Sequence, residues 1–203
     1  MNGNARNPGH EDCGAAQTDE QLMLAFSRGS RDALAELFSR YKQPVFGFFR
    51  RRIADPAQTE ELTQETFLAV LRASARYEPR ALFRTYLYAI SFRILHAYRR
   101  KAALRATLLG AEARAETPKL RADGEAEFLL REAVGKLERL DREVLMLREF
   151  EQLSYAQIAQ LLGLPLNTVR SRLFRARVAL RELLAARAPK SSPAVLADPE
   201  ECP

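Results

Sequence analysis

The side chains with the most distinctive chemistry lie near the C-terminus, where residues 164–187 contain six Arg and one Glu. Arginine can bind guanine through a bidentate fork, asparagine can bind adenine in the same way, and a short hydroxyl side chain can bind a base or a phosphate. This combination predicts contacts with nucleic acid, and a helical hairpin with a solvated arginine face is the less favoured interpretation. The candidate residues are Asn167, Thr168, Arg170, Ser171, Arg172, Phe174 and Arg175.

Two helices are predicted to position these side chains. Ser154 followed by Gln157 is typical of a capping box at the start of a helix. Gly163 is the residue type that ends a helix in the left-handed conformation, and Pro165 suits the start of the next helix. Two helices joined by such a tight turn are typical of the DNA-binding helix-turn-helix, whose second helix enters the major groove.

The second of these helices is predicted to have an inner and an outer face. Val169 and Leu173, with later apolar residues at the same spacing, should pack inward. Arg172, Arg177 and Arg181 lie further round or further along the helix. We expect these arginines to bind phosphates, which fix the position of a protein on DNA without reading its sequence.

A second run of the chain interleaves aromatic and basic residues. Residues 83–104 read FRTYLYAISFRILHAYRRKAAL, and between Glu78 and Glu112 the chain has seven basic residues and no acidic one. Single-stranded nucleic acid binds such a surface, because each base offers a face for stacking and each nucleotide a phosphate. The sequence therefore predicts a second nucleic-acid surface.

The segment before it is acidic. Residues 59–77 read TEELTQETFLAVLRASARY, and no basic residue occurs between Arg52 and Arg72. On a helix, Glu61, Gln64 and Glu65 would share one outer face. A solvated helix normally mixes both signs of charge, so this separation suggests a basic partner, although a solvated amphipathic helix is the commoner case.

Composition predicts an all-α fold. The chain of 203 residues has 30 Leu and 32 Ala against 7 Val and 4 Ile, and helices favour Ala and Leu whereas strands favour β-branched residues. The pattern predicts two small helical domains joined by a flexible linker. We place tails at 1–18 and 187–203, the domains at 19–103 and 128–186, and the linker at 104–127.

Several classes of protein are disfavoured by what the sequence lacks. The first twenty residues contain no signal-like apolar run, and no uncharged apolar stretch is long enough to span a membrane, so we expect a cytoplasmic protein. Cys13 and Cys202 lie in the two predicted tails, and His10 with Cys13 falls short of a metal-ligand set. The sequence has no phosphate-binding Gly-rich loop and no nucleophile elbow. We expect no enzyme activity, cofactor, metal or small-molecule substrate.

Three motifs resemble, in the same order, those of extracytoplasmic-function (ECF) sigma factors, the smallest members of the bacterial sigma-70 family. They are EELTQETFLAVLR at 60–72, FRTYLYAISFRILHAYRRK at 83–101 and LERLDREVLMLREFEQLSYAQIAQLLGLPLNTVRSRLFRARVALREL at 137–183. The resemblance implies a sigma region 2 at 19–103 and a sigma region 4 at 128–186. It implies a factor that binds bacterial core RNA polymerase, recognises the −35 and −10 promoter elements and directs transcription initiation, in a stress or envelope-response regulon.

The resemblance also implies partners and roles. The surface for the β′ clamp helices of the polymerase would consist of Glu61, Leu62, Gln64, Glu65 and Phe67. The −10 element would be opened and held by Tyr77, Arg80, Phe83, Tyr86, Arg93, Arg99, Arg100 and Lys101. The helix-turn-helix residues named above would read the −35 element, and region 4 would contact the β flap. Because many members of the family are held inactive by an anti-sigma factor, the resemblance also implies such a partner, which can hold the protein at the inner membrane face.

The chain departs from the family pattern at a few positions. Tyr86 stands where the family usually has Trp, and Arg93 and Ala97 replace a frequent Asn and Asp. The loop at 78–82 reads EPRAL where Gly and Ser are common, and Asn167 replaces a common Gly. The first four differences fall where −10 bases would be read, and Asn167 could add a base contact.

Two other interpretations compete with this one. A free-standing helix-turn-helix regulator would use the C-terminal domain alone and would need no acidic helix at 59–77. An RNA-binding or RNA-processing protein would use the basic aromatic surface, but the sequence offers no acid–base set beside it and the helix-turn-helix would have no role.

Overall fold

The computed structural model describes residues 17–108 and 125–186. Every regular element in these ranges is a helix, which confirms the predicted all-α fold. The predicted tails, apart from Gln17 and Thr18, and residues 109–124 of the predicted linker lie outside the described residues. No described helix is long and apolar enough to cross a membrane.

The chain divides into two compact units, Met1–Pro118 and Lys119–Pro203. The elements of the first unit are α1 (Asp19–Ser27), α2 (Arg31–Arg50), α3 (Pro56–Ala73), a 3₁₀ turn (Ser74–Arg76) and α4 (Phe83–Leu108). The helix α2 packs against α1, α3 and α4, and α3 packs along α4. The buried centre of this unit is formed by Met23, Leu37, Val45, Phe48, Phe49, Ile53, Val70, Leu87, Tyr88 and Leu95.

Local residue chemistry sets where the helices of the first unit begin. Ser30 caps α2 by accepting a hydrogen bond from the N–H of Ala33, and Asp55 caps α3 in the same way just before Pro56. Gly29 has φ +104°, a conformation that favours glycine, and it makes the sharp turn between α1 and α2.

The second unit contains α5 (Glu125–Lys136), α6 (Arg139–Glu149), α7 (Tyr155–Leu162) and α8 (Leu166–Ala185). The helices α5, α6 and α7 all pack on α8. Their buried contacts include Val144, Leu147, Leu153, Ile158, Val169, Leu173 and Ala176. At the two ends of the linker predicted at 104–127, α4 runs through Leu108 and α5 begins at Glu125.

The helix-turn-helix forms as its residues predict. Ser154 and Gln157 make a reciprocal capping box at the start of α7. Gly163 ends α7 with φ +65° and ψ +35°, the left-handed conformation. Pro165 lies immediately before α8, so the turn is as tight as expected.

Candidate nucleic-acid interface

The exposed face of α8 carries most of the residues predicted to bind DNA. Asn167, Arg170, Ser171 and Phe174 are all exposed, and their spacing puts them on one side of the helix. Phe174 is 70% exposed and lies on this same side of α8. The Nη1 of Arg170 donates to the Oδ1 of Asn167 at 3.4 Å, so two candidate base-binding side chains are neighbours.

The structure places Arg172 away from this face. Its Nη1 donates to Asp141 at 2.8 Å and to Glu138 at 2.9 Å, so the side chain bridges α8 to α6. Only 23% of the Arg172 side chain is exposed, against 59% for Arg175, which also reaches Asp141 at 3.3 Å. The Arg172 side chain therefore joins α8 to α6, whereas the Arg175 side chain both contacts Asp141 and remains largely exposed to solvent.

The acidic partners on α6 were not anticipated from the sequence. Glu138 and Asp141 are three residues apart, as are Arg172 and Arg175, and this matched helical spacing is the signal that could have revealed the pairing. The pKa of Glu138 lies below its usual range because its carboxylate accepts hydrogen bonds from the backbone N–H groups of Leu140 and Asp141 and binds Arg172.

A further arginine of α8 also has an acidic partner on α6. Arg177 donates to the carboxylate of Glu149 at 2.7 Å, which raises the pKa of this arginine. Both side chains are about half exposed, so the pair contributes little to stability.

Two of the aromatic residues predicted to hold the −10 element, Tyr77 and Phe83, are buried in this structure. Tyr77 and Phe83 lie in a cluster with Tyr41 and Tyr86, with ring centroids 5.4 Å apart for Tyr41 and Phe83 and 5.2 Å apart for Tyr77 and Tyr86. Burial raises the pKa of Tyr77 to about 12, and the nearby carboxylate of Glu20 adds to the effect. Tyr86 is half-buried at the edge of this cluster.

The basic residues of α4 form an exposed face next to that cluster. Tyr86, Arg93 and Arg100 follow one another at seven-residue spacing, so they lie on one stripe of the helix. Lys101 is exposed beside Arg100, and Arg99 is half-buried. In the loop before α4, Arg80 is exposed and pairs with Glu78 at 2.6 Å.

The acidic face of α3 is exposed as predicted for Glu61, Gln64 and Glu65. Leu62 and Phe67 were predicted for the same surface but are only 4% and 6% exposed, because they point from α3 into the core of the unit. Their packing in the core holds α3 in place beneath its exposed acidic face.

Sequence reasoning missed two apolar residues at the edge of the acidic face. Leu68 is 47% exposed and lies on the same stripe of α3 as Glu61 and Glu65. Phe38 of α2 is 40% exposed and packs edge-on against Phe67 with ring centroids 4.8 Å apart. Exposed apolar residues beside a charged strip are typical of a protein–protein interface.

Comparisons with known proteins agree with this architecture. The model of the family "Sigma-70 region 2" matches residues 37–104, and that of "Sigma-70, region 4" matches residues 127–180. The RNA polymerase sigma-H factor of Pseudomonas aeruginosa is 30% identical over 182 residues, which is 83% of this chain and 94% of that protein. The RNA polymerase sigma factor CarQ of Myxococcus xanthus is 33% identical over 169 residues, which is 80% of this chain and 95% of that protein.

Solved structures give the same result for the fold. The structure of CnrH in complex with the cytosolic domain of CnrY aligns with a TM-score of 0.64 and 26% identity, covering 85% of this chain and all of that one. The sigma factor RpoE of Bartonella quintana, solved with the anti-sigma factor NepR, aligns with a TM-score of 0.66 at 19% identity and covers 75% of this chain and 97% of that one.

Proposed function

Because the chain belongs to the sigma-70 family, as a sigma factor of the ECF type, we propose that its two units divide promoter recognition between them. Such a factor binds bacterial core RNA polymerase, recognises the −35 and −10 elements and directs transcription initiation. The region 2 match disfavours a free-standing helix-turn-helix regulator, which has no need of that domain. The family is not an enzyme family, and we assign no catalytic residue to this chain.

We assign reading of the −35 element to α8. The observation that carries this assignment is the single exposed face formed by Asn167, Arg170, Ser171 and Phe174 directly after the tight turn. The N-terminal half of a recognition helix is the part that reaches base edges in the major groove. Arg170 and Asn167 suit guanine and adenine, and Phe174 suits the methyl group of thymine.

We assign the −10 element to the exposed stripe of α4. Tyr86 offers a ring at the edge of the aromatic cluster, and Arg93 and Arg100 continue the same stripe with positive charge. A ring followed by cations supports an unpaired base and the phosphates that follow it. Tyr77 and Phe83 shape this surface from within rather than stacking on DNA.

We assign the contact with the β′ clamp helices to the exposed strip of α3, with Glu61, Gln64 and Glu65 at its centre and Leu68 and Phe38 at its edge. The carboxylates would pair with basic residues of the polymerase, and Leu68 and Phe38 would add apolar contact area beside them.

We propose a second protein contact of region 4 with the β flap, and an anti-sigma factor as a further partner. The structure of CnrH, which aligns with most of this chain, was solved in complex with the cytosolic domain of CnrY. We propose a comparable protein partner for this chain. We place the protein in the cytoplasm, where the anti-sigma partner would be able to hold it at the inner membrane face.

Run-off transcription tests the proposal. Core RNA polymerase is supplied with a genomic promoter library from the source bacterium, with and without the protein. We expect protein-dependent transcripts whose promoters share one −35 and −10 pair. Binding of duplex DNA by the protein alone, with no effect on the core polymerase, would contradict the proposal and indicate a conventional regulator.

A further inference from the structure

The N-terminus of α4 has no capping side chain of its own. Leu82 is the residue before the helix, and its carbonyl accepts the first turn hydrogen bond, from the N–H of Tyr86 at 3.2 Å. Neither Ala81 nor Leu82 carries a side-chain oxygen, whereas Ser, Thr, Asp and Asn are preferred at such a position. The first N–H groups of α4 therefore need a partner from elsewhere in the fold.

Glu20 of α1 supplies that partner from 63 residues away in the chain. The backbone N–H of Phe83 donates to the Oε1 of Glu20 at 2.7 Å. A carboxylate in this position also interacts favourably with the positive end of the helix dipole. Glu20 thus acts as the cap of the helix that carries the proposed −10 surface.

The position of Glu20 is itself fixed. Thr18 and Gln21 form a capping box, so Asp19 and Glu20 occupy the first turn of α1. Asp19 accepts a hydrogen bond from the hydroxyl of Tyr41 on α2 and binds Arg40 at 2.8 Å. Two adjacent carboxylates therefore join the start of α1 to both α2 and α4.

The same contact lies at the C-terminal end of the loop at 78–82. Phe83 follows the loop, and Tyr77 precedes it, with their ring centroids 6.4 Å apart. The Tyr77 hydroxyl is buried and has no hydrogen-bond partner among the described residues. Both ends of the loop are thus held in one aromatic cluster, and the capped N–H of Phe83 fixes where that cluster meets α4.

We propose that Glu20 is a positioning residue for −10 recognition: its cap on α4 holds the 78–82 loop and Tyr86 in the conformation that receives the −10 bases. The proposal rests on the −10 role given to α4 above. Preorganisation of this kind lowers the ordering cost of binding, so losing it weakens the −10 contact specifically.

Holoenzyme binding tests this role. The full-length protein is assembled with core polymerase, and two probes are titrated: a single-stranded non-template oligonucleotide with the −10 element of a promoter recovered by run-off transcription, and a duplex with its −35 element. We expect Glu20→Ala to weaken −10 strand binding about fivefold, the factor that corresponds to the loss of a typical helix cap. Glu20→Gln should stay within about twofold of the wild type, since its amide oxygen can still accept the Phe83 N–H. Neither change should alter −35 binding or assembly.

Matched variants separate positioning from mere stability. Glu36→Ala removes a carboxylate that pairs with Arg40 at 2.8 Å on α2 and does not reach α4, so it should leave −10 binding unchanged. If Glu20→Ala does not fold, Glu20→Asp takes its place, because it keeps the charge but shortens the reach. Wild-type −10 binding by the folded Glu20→Ala or Glu20→Asp, or an equal loss on both probes, would overturn the proposal. If the wild-type holoenzyme does not prefer the −10 strand to a scrambled one, the −10 role of α4 fails instead.

Discussion

The carboxylate of Asp141 on α6 holds the guanidinium of Arg172 on α8 at 2.8 Å, and both side chains are largely withdrawn from solvent. One arginine of the recognition helix therefore faces the protein, while its neighbours Arg170 and Ser171 face outward. A partly buried charge is costly when it loses its partner, so this pair also fixes the rotation of α8 about its own axis. The outward face that meets DNA is set in part by an inward ion pair.

We predict that Arg172→Ala destabilises the second unit by about 1–3 kcal/mol, because it leaves the largely buried carboxylate of Asp141 without its closest cation. The measurement is hydrogen–deuterium exchange of the full-length protein, followed at the backbone amides of α6 and α8. Arg177→Ala, which removes an exposed pair with Glu149, is the control and should cost no more than about 1 kcal/mol. Equal effects of the two substitutions would contradict the structural role of Arg172.

Arg170→Ala should weaken binding to the cognate −35 duplex by about 1–3 kcal/mol and relax selectivity at one base pair. The reason is that Arg170 is exposed on the outward face of α8 near Asn167, where it can reach a base edge. Fluorescence anisotropy with cognate and scrambled duplexes measures both effects. The same loss on the two duplexes would show that Arg170 contacts only phosphate.

Glu65→Lys should abolish assembly with core polymerase without unfolding the protein. Glu65 is exposed on the acidic strip of α3, so reversing its charge turns attraction for a basic partner into repulsion. Co-elution with core polymerase reports assembly, and circular dichroism reports the fold. Glu36→Lys, at an exposed position of α2, is the charge-matched control and should assemble normally. Undiminished assembly of Glu65→Lys would remove the assignment of this strip.

Leu62 and Leu68 should respond in opposite ways to truncation. Leu62 is buried, so Leu62→Ala should lower the free energy of unfolding of the first unit by about 2–5 kcal/mol. Leu68 is half exposed, so Leu68→Ala should change stability little and instead weaken polymerase binding. Thermal unfolding and polymerase affinity are measured for both variants. A destabilised Leu68→Ala with normal polymerase affinity would exclude Leu68 from the interface.

The contribution of Glu138 to stability should depend on pH. The lowered pKa means that the folded state favours the ionised carboxylate, so its stabilisation is present above the ordinary pKa of 4.5 and is lost as pH falls through the lowered value. At neutral pH, Glu138→Gln should cost about 0.5–1 kcal/mol, the low end for an exposed cap. Amide exchange in α6 at neutral and acidic pH measures the difference. Glu182→Gln, at an exposed position of α8, is the control, and a difference that grows toward low pH would refute the assignment.

Local sequence signals are sufficient to predict that the described elements are helices and to locate several helix ends. The helix-turn-helix could be predicted because its signals are local: Ser154 and Gln157 cap α7 within one turn, and Gly163 ends it. The exposed acids of α3 could be predicted for the same reason, since helical periodicity alone puts Glu61 and Glu65 on one face. The resemblance of three motifs to those of ECF sigma factors is the basis of the roles that we propose for these elements.

Which members of each motif face solvent follows from how the helices pack against one another. Leu62 and Phe67 are buried in the core of the first unit, although both belong to a motif predicted to bind the polymerase. Arg172 forms an ion pair with Asp141, although it belongs to a motif predicted to bind DNA. Glu20 caps a helix that begins 63 residues later. The physical reason is that burial and ion pairing depend on which elements pack together, and that packing joins residues too distant in the chain for local propensity or spacing to relate them.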